Sequence, residues 1–251
     1  METTIEWRPS VKHILRAATV AHMTAGWNPG SFVEMGAGTG TLTREFTNRG
    51  FTGMAYDPGE IARRHLRHSF ADRQLRVVEK LEDIPAGAAD YLFAFEVLEH
   101  IPDDAPALLS WTAKLHNGGQ VLISVPAHQR KFGASDRRVG HVRRYERSDV
   151  VELLESCGYQ EVRVVNYGFP LGNITRWASI AFDRANEPGD EAELLSRGVD
   201  SGIRQPRAVN KLSRIATSRN LRPFTSTQRW FYNRDWGDGY VATGRLGRLR
   251  P

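Results

Sequence analysis

The chain has 251 residues, 40% of them apolar, and a formal net charge of +5 from 34 Lys and Arg against 29 Asp and Glu. That length fits one large α/β domain with an embellishment, and that apolar share excludes disorder of the whole chain. No run of about 18 apolar residues occurs, which excludes a membrane span and leaves no membrane partner to expect.

The start, Met1-Glu2-Thr3-Thr4-Ile5-Glu6, is acidic and has no apolar stretch, so no signal peptide is expected. The one cysteine, Cys157, has no internal partner, which fits a reducing cytoplasm. Charge is uneven: residues 1–125 carry 12 basic and 15 acidic side chains, residues 126–251 carry 22 and 14. A basic half of this size fits a solvated surface before it fits a nucleic acid.

In chain order, residues 8–26 read as one amphipathic helix, with Val11, Ile14, Leu15, Ala18 and His22 at helical spacing. A first strand, Ser31-Phe32-Val33-Glu34, runs into the loop Gly36-Ala37-Gly38-Thr39-Gly40 and a helix from Thr41 to Asn48. The second strand, Thr52 to Tyr56, ends at Asp57-Pro58-Gly59, and a helix from Ile61 to Phe70 follows. Arg76-Val77-Val78 is a weak third strand. The fourth, Asp90 to Phe95, is an apolar run suited to burial on both faces. A helix from Asp104 to Leu115 ends at Asn117-Gly118-Gly119, and the fifth strand is Gln120 to Val125. A helix from Arg147 to Cys157 and a strand from Glu161 to Tyr167 complete the alternation. A helix near Leu171 to Ala185, an Arg-rich stretch and a last strand, Gly239 to Leu246, follow. The βαβ pattern predicts an α/β fold with a parallel sheet covered by helices on both faces. Four parts are expected: a cap helix over 1–30, the core over 31–167, a helical lid insertion over 168–238, and the final strand over 239–251.

Glu34-x-Gly36-x-Gly38-x-Gly40 between a strand and a helix is the strongest local signal. Glycine lets the backbone turn tightly and touch a ligand with no Cβ between them. A nicotinamide site needs G-x-G-x-x-G and a pyrophosphate at the helix N-terminus. Here the third glycine comes one residue early, and Glu34 would repel a pyrophosphate. S-adenosylmethionine has no phosphate, and its ammonium and sulfonium would be drawn to a carboxylate. Asp57, at the end of the second strand, is placed to accept both ribose hydroxyls.

Val33-Glu34-Met35-Gly36-Ala37-Gly38-Thr39-Gly40, Tyr56-Asp57-Pro58 and Phe95-Glu96-Val97-Leu98-Glu99-His100-Ile101 together resemble the class I S-adenosylmethionine-dependent methyltransferases of the small-molecule branch. The resemblance continues through Ser124-Val125-Pro126-Ala127-His128 and Asp136 to Gly140-His141-Val142-Arg143-Arg144-Tyr145. It implies a Rossmann-like, seven-stranded, mostly parallel sheet with its last strand antiparallel, S-adenosylmethionine as cofactor and S-adenosylhomocysteine as product. It implies that Gly36, Ala37 and Gly38 line the methionine end, with Glu34 leading the loop. It further implies that Asp57 and Pro58 take the ribose side, and that Phe95, Glu96 and His100 lie beside the methionine moiety. Where the family often has an acid for the adenine amine, this sequence places Lys80, so the contact falls to Leu81 with Glu82 or Asp83.

Methyl transfer needs a base only when the acceptor must lose a proton, and histidine suits that near neutral pH. His128 and His141 are the candidates; Asp136 could orient His141, and either histidine could instead anchor a loop. No His, Cys and Asp cluster has metal-ligand spacing, and Asp103 and Asp104 beside His100 suit a helix N-terminus, so no metal is expected. Trp7, Tyr145, Tyr167, Phe169 and Trp177 are expected to line a flat, aromatic small-molecule site. The segment after the fourth strand is not the Asn/Asp-Pro-Pro-aromatic motif that would stack a flipped base, which argues against a nucleic-acid substrate. A methyltransferase of RNA or another nucleic acid, and a non-catalytic binding protein on the same fold, are the alternatives kept.

Overall fold

The computed structural model describes residues 9–71, 75–174, 176 and 220–247. Seven strands form one sheet in the order β3-β2-β1-β4-β5-β7-β6. They are β1 Ser31–Met35, β2 Thr52–Tyr56, β3 Leu75–Val78, β4 Ala89–Phe95, β5 Leu115–Pro126, β6 Tyr159–Tyr167 and β7 Gly239–Leu246. β1 to β5 pair in parallel, and β7 is inserted antiparallel between β5 and β6. The expected sheet is present.

β4 shows how residue alternation builds the two layers, because successive side chains point to opposite faces. Leu92 and Ala94 face a core shared with Leu108 and Trp111 of helix α4 (Asp104–Thr112) and Leu153 and Leu154 of α5 (Arg147–Ser156). Tyr91, Phe93 and Phe95 face the other core, with Leu15 and Val20 of α1 (Val11–Met23) and Phe46 of α2 (Thr41–Asn48). Phe93 is the hub of that second layer: it stacks on Phe46 at 4.2 Å and on Phe32 at 5.2 Å between ring centroids. Leu66 and Phe70 place α3 (Glu60–Ser69) against the β2 edge.

Three elements differ from expectation. α1 is shorter than 8–26, because the Ser10 hydroxyl accepts from the His13 amide and starts it, and Thr24 caps its end. Its buried face holds Ile14, Leu15, Thr19, Val20 and Met23, so Ala18 and His22 lie at the margin. Thr19 can be buried because its hydroxyl bonds Leu15 O at 2.9 Å and receives the Tyr232 hydroxyl at 3.1 Å. The helix after β4 stops at Thr112, and Leu115 already pairs with Ala89, so β5 starts five residues before Gln120. Of the helix expected near Leu171, residues 171–174 and 176 are helical, and the rest lies outside the described residues.

Candidate active site at the strand switch point

β1 and β4 are neighbours, and the chain leaves them in opposite directions along the sheet, through β2 and β3 on one side and β5 on the other. Ligands of open α/β sheets bind at the carboxyl ends of the strands at such a reversal. Gly36 follows β1 there, with φ +67° and its amide on Tyr56 O at 2.8 Å. A Cβ at Gly36 would come within 2.6 Å of Val97, so only glycine lets the loop lie against the segment after β4. At Gly38, also left-handed at φ +54°, a Cβ would meet nothing within 4 Å. The loop is therefore open at Gly38 while it is packed shut at Gly36.

Asp57 ties this cradle to β2. One carboxylate oxygen accepts the Gly38 amide and the other the Gly59 amide, both at 2.8 Å. Burial raises its pKa against the pull of those two amides. Pro58 lies next to it, exposed. Glu34 is buried and accepts the Thr43 hydroxyl at 2.6 Å. Burial, with Asp57 adding to it, pushes its carboxyl up to about 8. The physical reason is desolvation, which disfavours the charged form. Beyond β3, Asp83 is drawn back onto the Lys80 amide at 3.1 Å, while Glu82 stays exposed and Leu81 half-buried. Ala37 is buried against Leu66 and Phe70.

Phe95 closes β4, and Glu96 follows it in a left-handed conformation, φ +57°. Its carboxylate receives Lys12 Nζ at 2.6 Å and lies 3.4 Å from Arg16, both from α1. The hydroxyls of Ser124 and Tyr167 approach it at 3.3 and 3.4 Å. Burial alone would raise the Glu96 pKa, but the two cations hold it below the usual carboxylate range. Neither Lys12 nor Arg16 was among the expected site residues. Their signal was the four-residue spacing that puts both on one helix face.

Glu99 and His100 form the next turn, residues Leu98–His100. Glu99 is fully buried, and neither carboxylate oxygen has a hydrogen-bond partner. Burial and the nearby Glu96 charge push its pKa well above the ordinary value. His100 Nδ1 lies 3.1 Å from Gly140 O, and burial, then His141, lowers its pKa to about 4. His141 stands edge-on to His100, with its Nδ1 3.2 Å from Asp136. Asp136 also receives Arg144 Nε at 2.8 Å, and Arg144 reaches Asp238 at the start of β7. The expected Asp136–His141 pairing is thus part of a buried network joining three segments.

His128 lies just past β5, buried, with Nδ1 3.1 Å from Glu146 and no partner for Nε2. Tyr167 is buried beside Glu96. Phe169 packs on Phe231 and Trp236 at 4.8 and 5.3 Å. Tyr145 is placed differently from the lining role expected of it: its ring is in the core and its hydroxyl donates to Asp104 at 2.7 Å. Trp7 and Trp177 lie outside the described residues.

Residues 11–164 match the family model of a methyltransferase domain. Among curated relatives, the ubiquinone biosynthesis O-methyltransferase of Pseudomonas paraeruginosa is 31% identical over 107 residues, 40% of this chain and 46% of that protein. The chain therefore spans less than half the length of that relative. Among solved structures, a phosphoethanolamine N-methyltransferase of Haemonchus contortus in complex with S-adenosyl-L-methionine superposes with a TM-score of 0.57 at 14% identity, covering 93% of this chain and 52% of that one. The [4+2]-cyclase SpnF superposes with a TM-score of 0.58 at 15% identity, covering 98% and 85%. Such low identities carry the fold and not the reaction. The family match, over more than half of the chain, together with the glycine cradle at the switch point, makes this chain a member of the class I S-adenosylmethionine-dependent methyltransferase family.

Proposed function

We propose that the protein transfers a methyl group from S-adenosylmethionine to a small, aromatic acceptor in a biosynthetic reaction. The observation that carries this reading is the cradle at Gly38, open where a side chain would stand and tied by its own amide to Asp57. When bound, the cofactor supplies a methyl on a cationic sulfur, already activated for in-line displacement. The chain's own part is to hold, orient and exclude water. In this reading Gly36, Ala37 and Gly38 hold the methionine end, Asp57 and Pro58 the ribose, and Leu81 and Glu82 the adenine. Phe95, Glu96 and His100 close the methionine side.

His128 is the proposed base for an acceptor that must lose a proton. Glu146 orients its Nδ1 and leaves Nε2 unpartnered, the arrangement of a carboxylate-positioned imidazole. His141 is not proposed as the base, since its Nδ1 is held by Asp136, which Arg144 binds in turn. Residues 1–30 and 168–238 are proposed as the cap that selects the acceptor, with Tyr167 and Phe169 on its described part. The aromatic class draws on those rings and on the relative's name, which assigns an O-methyltransferase to ubiquinone biosynthesis.

The test is calorimetric titration with S-adenosylmethionine, S-adenosylhomocysteine and NADH, then label transfer to a panel of phenols. Micromolar binding of the first two alone, with transfer to a phenol, is the expected result. Binding of NADH, or of none, overturns the cofactor reading. Binding without transfer to any aromatic acceptor overturns the substrate class only.

A further inference from the structure

Glu99, His100 and His141 come from two segments 40 residues apart, yet their ligand-type atoms all lie within 4.8 Å of one another. Each imidazole is oriented from behind. His100 Nδ1 faces the Gly140 carbonyl at 3.1 Å and His141 Nδ1 faces the Asp136 carboxylate at 3.2 Å. A carbonyl and a carboxylate only accept, so both rings carry their hydrogen on Nδ1 and present the Nε2 lone pair. His141 Nε2 then points at Glu99, 3.7 Å from Oε1, too far for a hydrogen bond. Glu99 is 0% exposed, and both of its oxygens lack a partner. A carboxylate buried without hydrogen bonds is costly, and natural structures meet that cost by protonating the group, by pairing it or by coordinating a metal.

We infer that Glu99, His100 and His141 form a binding site for one divalent first-row transition-metal ion. Two imidazole nitrogens and one carboxylate oxygen suit Zn²⁺, Fe²⁺ or Mn²⁺, whereas Mg²⁺ and Ca²⁺ favour oxygen sets. Ring N–H groups held by a carbonyl and a carboxylate are the usual backing of metal-bound histidines. Three protein ligands leave coordination positions open, as in sites where a metal meets substrate or water. Ligands about 2.1 Å from a tetrahedral ion lie about 3.4 Å apart, so the three side chains draw in by roughly 1 Å on binding. Glu96 stays outside the set, because Lys12 and Arg16 already hold its carboxylate. The inference is independent of which acceptor the protein methylates.

The test uses the full chain, stripped with a chelator and titrated with Co²⁺ as a coloured probe, then with Zn²⁺, Mn²⁺ and Mg²⁺. One equivalent of Co²⁺, with visible absorption bands and displacement by Zn²⁺, is expected. Glu99→Gln and His141→Ala should each weaken binding by at least tenfold, and Asp136→Asn by about 10- to 100-fold through loss of the backing. His116→Ala, outside the group, should bind as the parent does. Melting curves check that each variant folds, and Glu99→Gln, nearly isosteric, serves if His141→Ala does not. Failure to bind one equivalent, unchanged affinity in the folded variants, or a preference for Mg²⁺ overturns the inference.

Discussion

At the residue scale, the two glycines of the cradle separate packing from binding. Gly36→Ala forces a Cβ into Val97 at a left-handed φ, so the variant should lose several degrees in melting temperature. Gly38→Ala meets open space, so its cost is the backbone term alone, about 1 kcal/mol. The new methyl stands in the cradle, and S-adenosylmethionine affinity should fall at least tenfold by calorimetry while the fold survives. Unchanged affinity in Gly38→Ala would move the cofactor elsewhere. Asp57→Ala should weaken cofactor binding as well, since it frees the Gly38 amide that the carboxylate holds.

Glu34 gives the molecule a pH dependence whose sign follows from linkage. Its pKa rises from an ordinary 4.5 to about 8 in the folded protein, with burial as the main cause. Between those values the unfolded chain releases the proton and the folded chain keeps it. Its contribution to stability is therefore full below 4.5, declines as pH rises, and is lost above 8. Glu34→Gln keeps an acceptor for Thr43 and removes the titration. The melting temperature of the variant relative to the parent should rise steadily from pH 5 to pH 8; a constant difference would show that Glu34 ionises normally.

At the element scale, α1 does more than cover an apolar face. Ile14, Leu15 and Val20 pack it on the sheet, and Lys12 and Arg16 fasten it to Glu96 at the switch point. The segment 228–232 holds it from the other side, through Gln228 on Leu15 O and Tyr232 on Thr19. Lys12→Ala leaves a largely buried carboxylate with weaker compensation, a loss of about 1–3 kcal/mol. Amide exchange in α1 should quicken more than in β4, whereas uniform protection would show that the ion pair contributes nothing to docking the helix. His128→Gln tests a different element, the turn after β5. If His128 is the base, kcat should fall 10²- to 10⁴-fold with cofactor affinity unchanged.

At the scale of the whole molecule, stability rests on two apolar layers, one on each face of the sheet. Phe93→Ala removes a fully buried ring that touches Phe32, Phe46 and Phe95. A loss of about 3–5 kcal/mol is expected, hence a fall of roughly 10 °C in melting temperature at this size. A shift under a few degrees would mean the layer repacks. Among the described residues no helix is long and apolar enough to cross a membrane.

The strands and the glycine cradle were legible in the sequence because their causes are local. The apolar run from Tyr91 to Phe95, the punctuation at Gly36, Gly38 and Gly40, and Asp57 at a strand end depend on neighbours along the chain. The parallel sheet follows from that pattern, and its seven strands from the family resemblance. Local signals failed where distant groups competed. Leu115 joined β5 early because Ala89 offered it a partner, and α1 turned its face because Tyr232 could satisfy Thr19. The charge state of Glu34, the grip of Lys12 and Arg16 on Glu96, and the meeting of Glu99 with His100 and His141 depend on burial and on contacts across 40 to 84 residues. Periodicity and spacing along the chain carry fold and cofactor cradle, while desolvation and through-space charge exist only once the chain is folded, and these decide what the site's carboxylates and imidazoles can do.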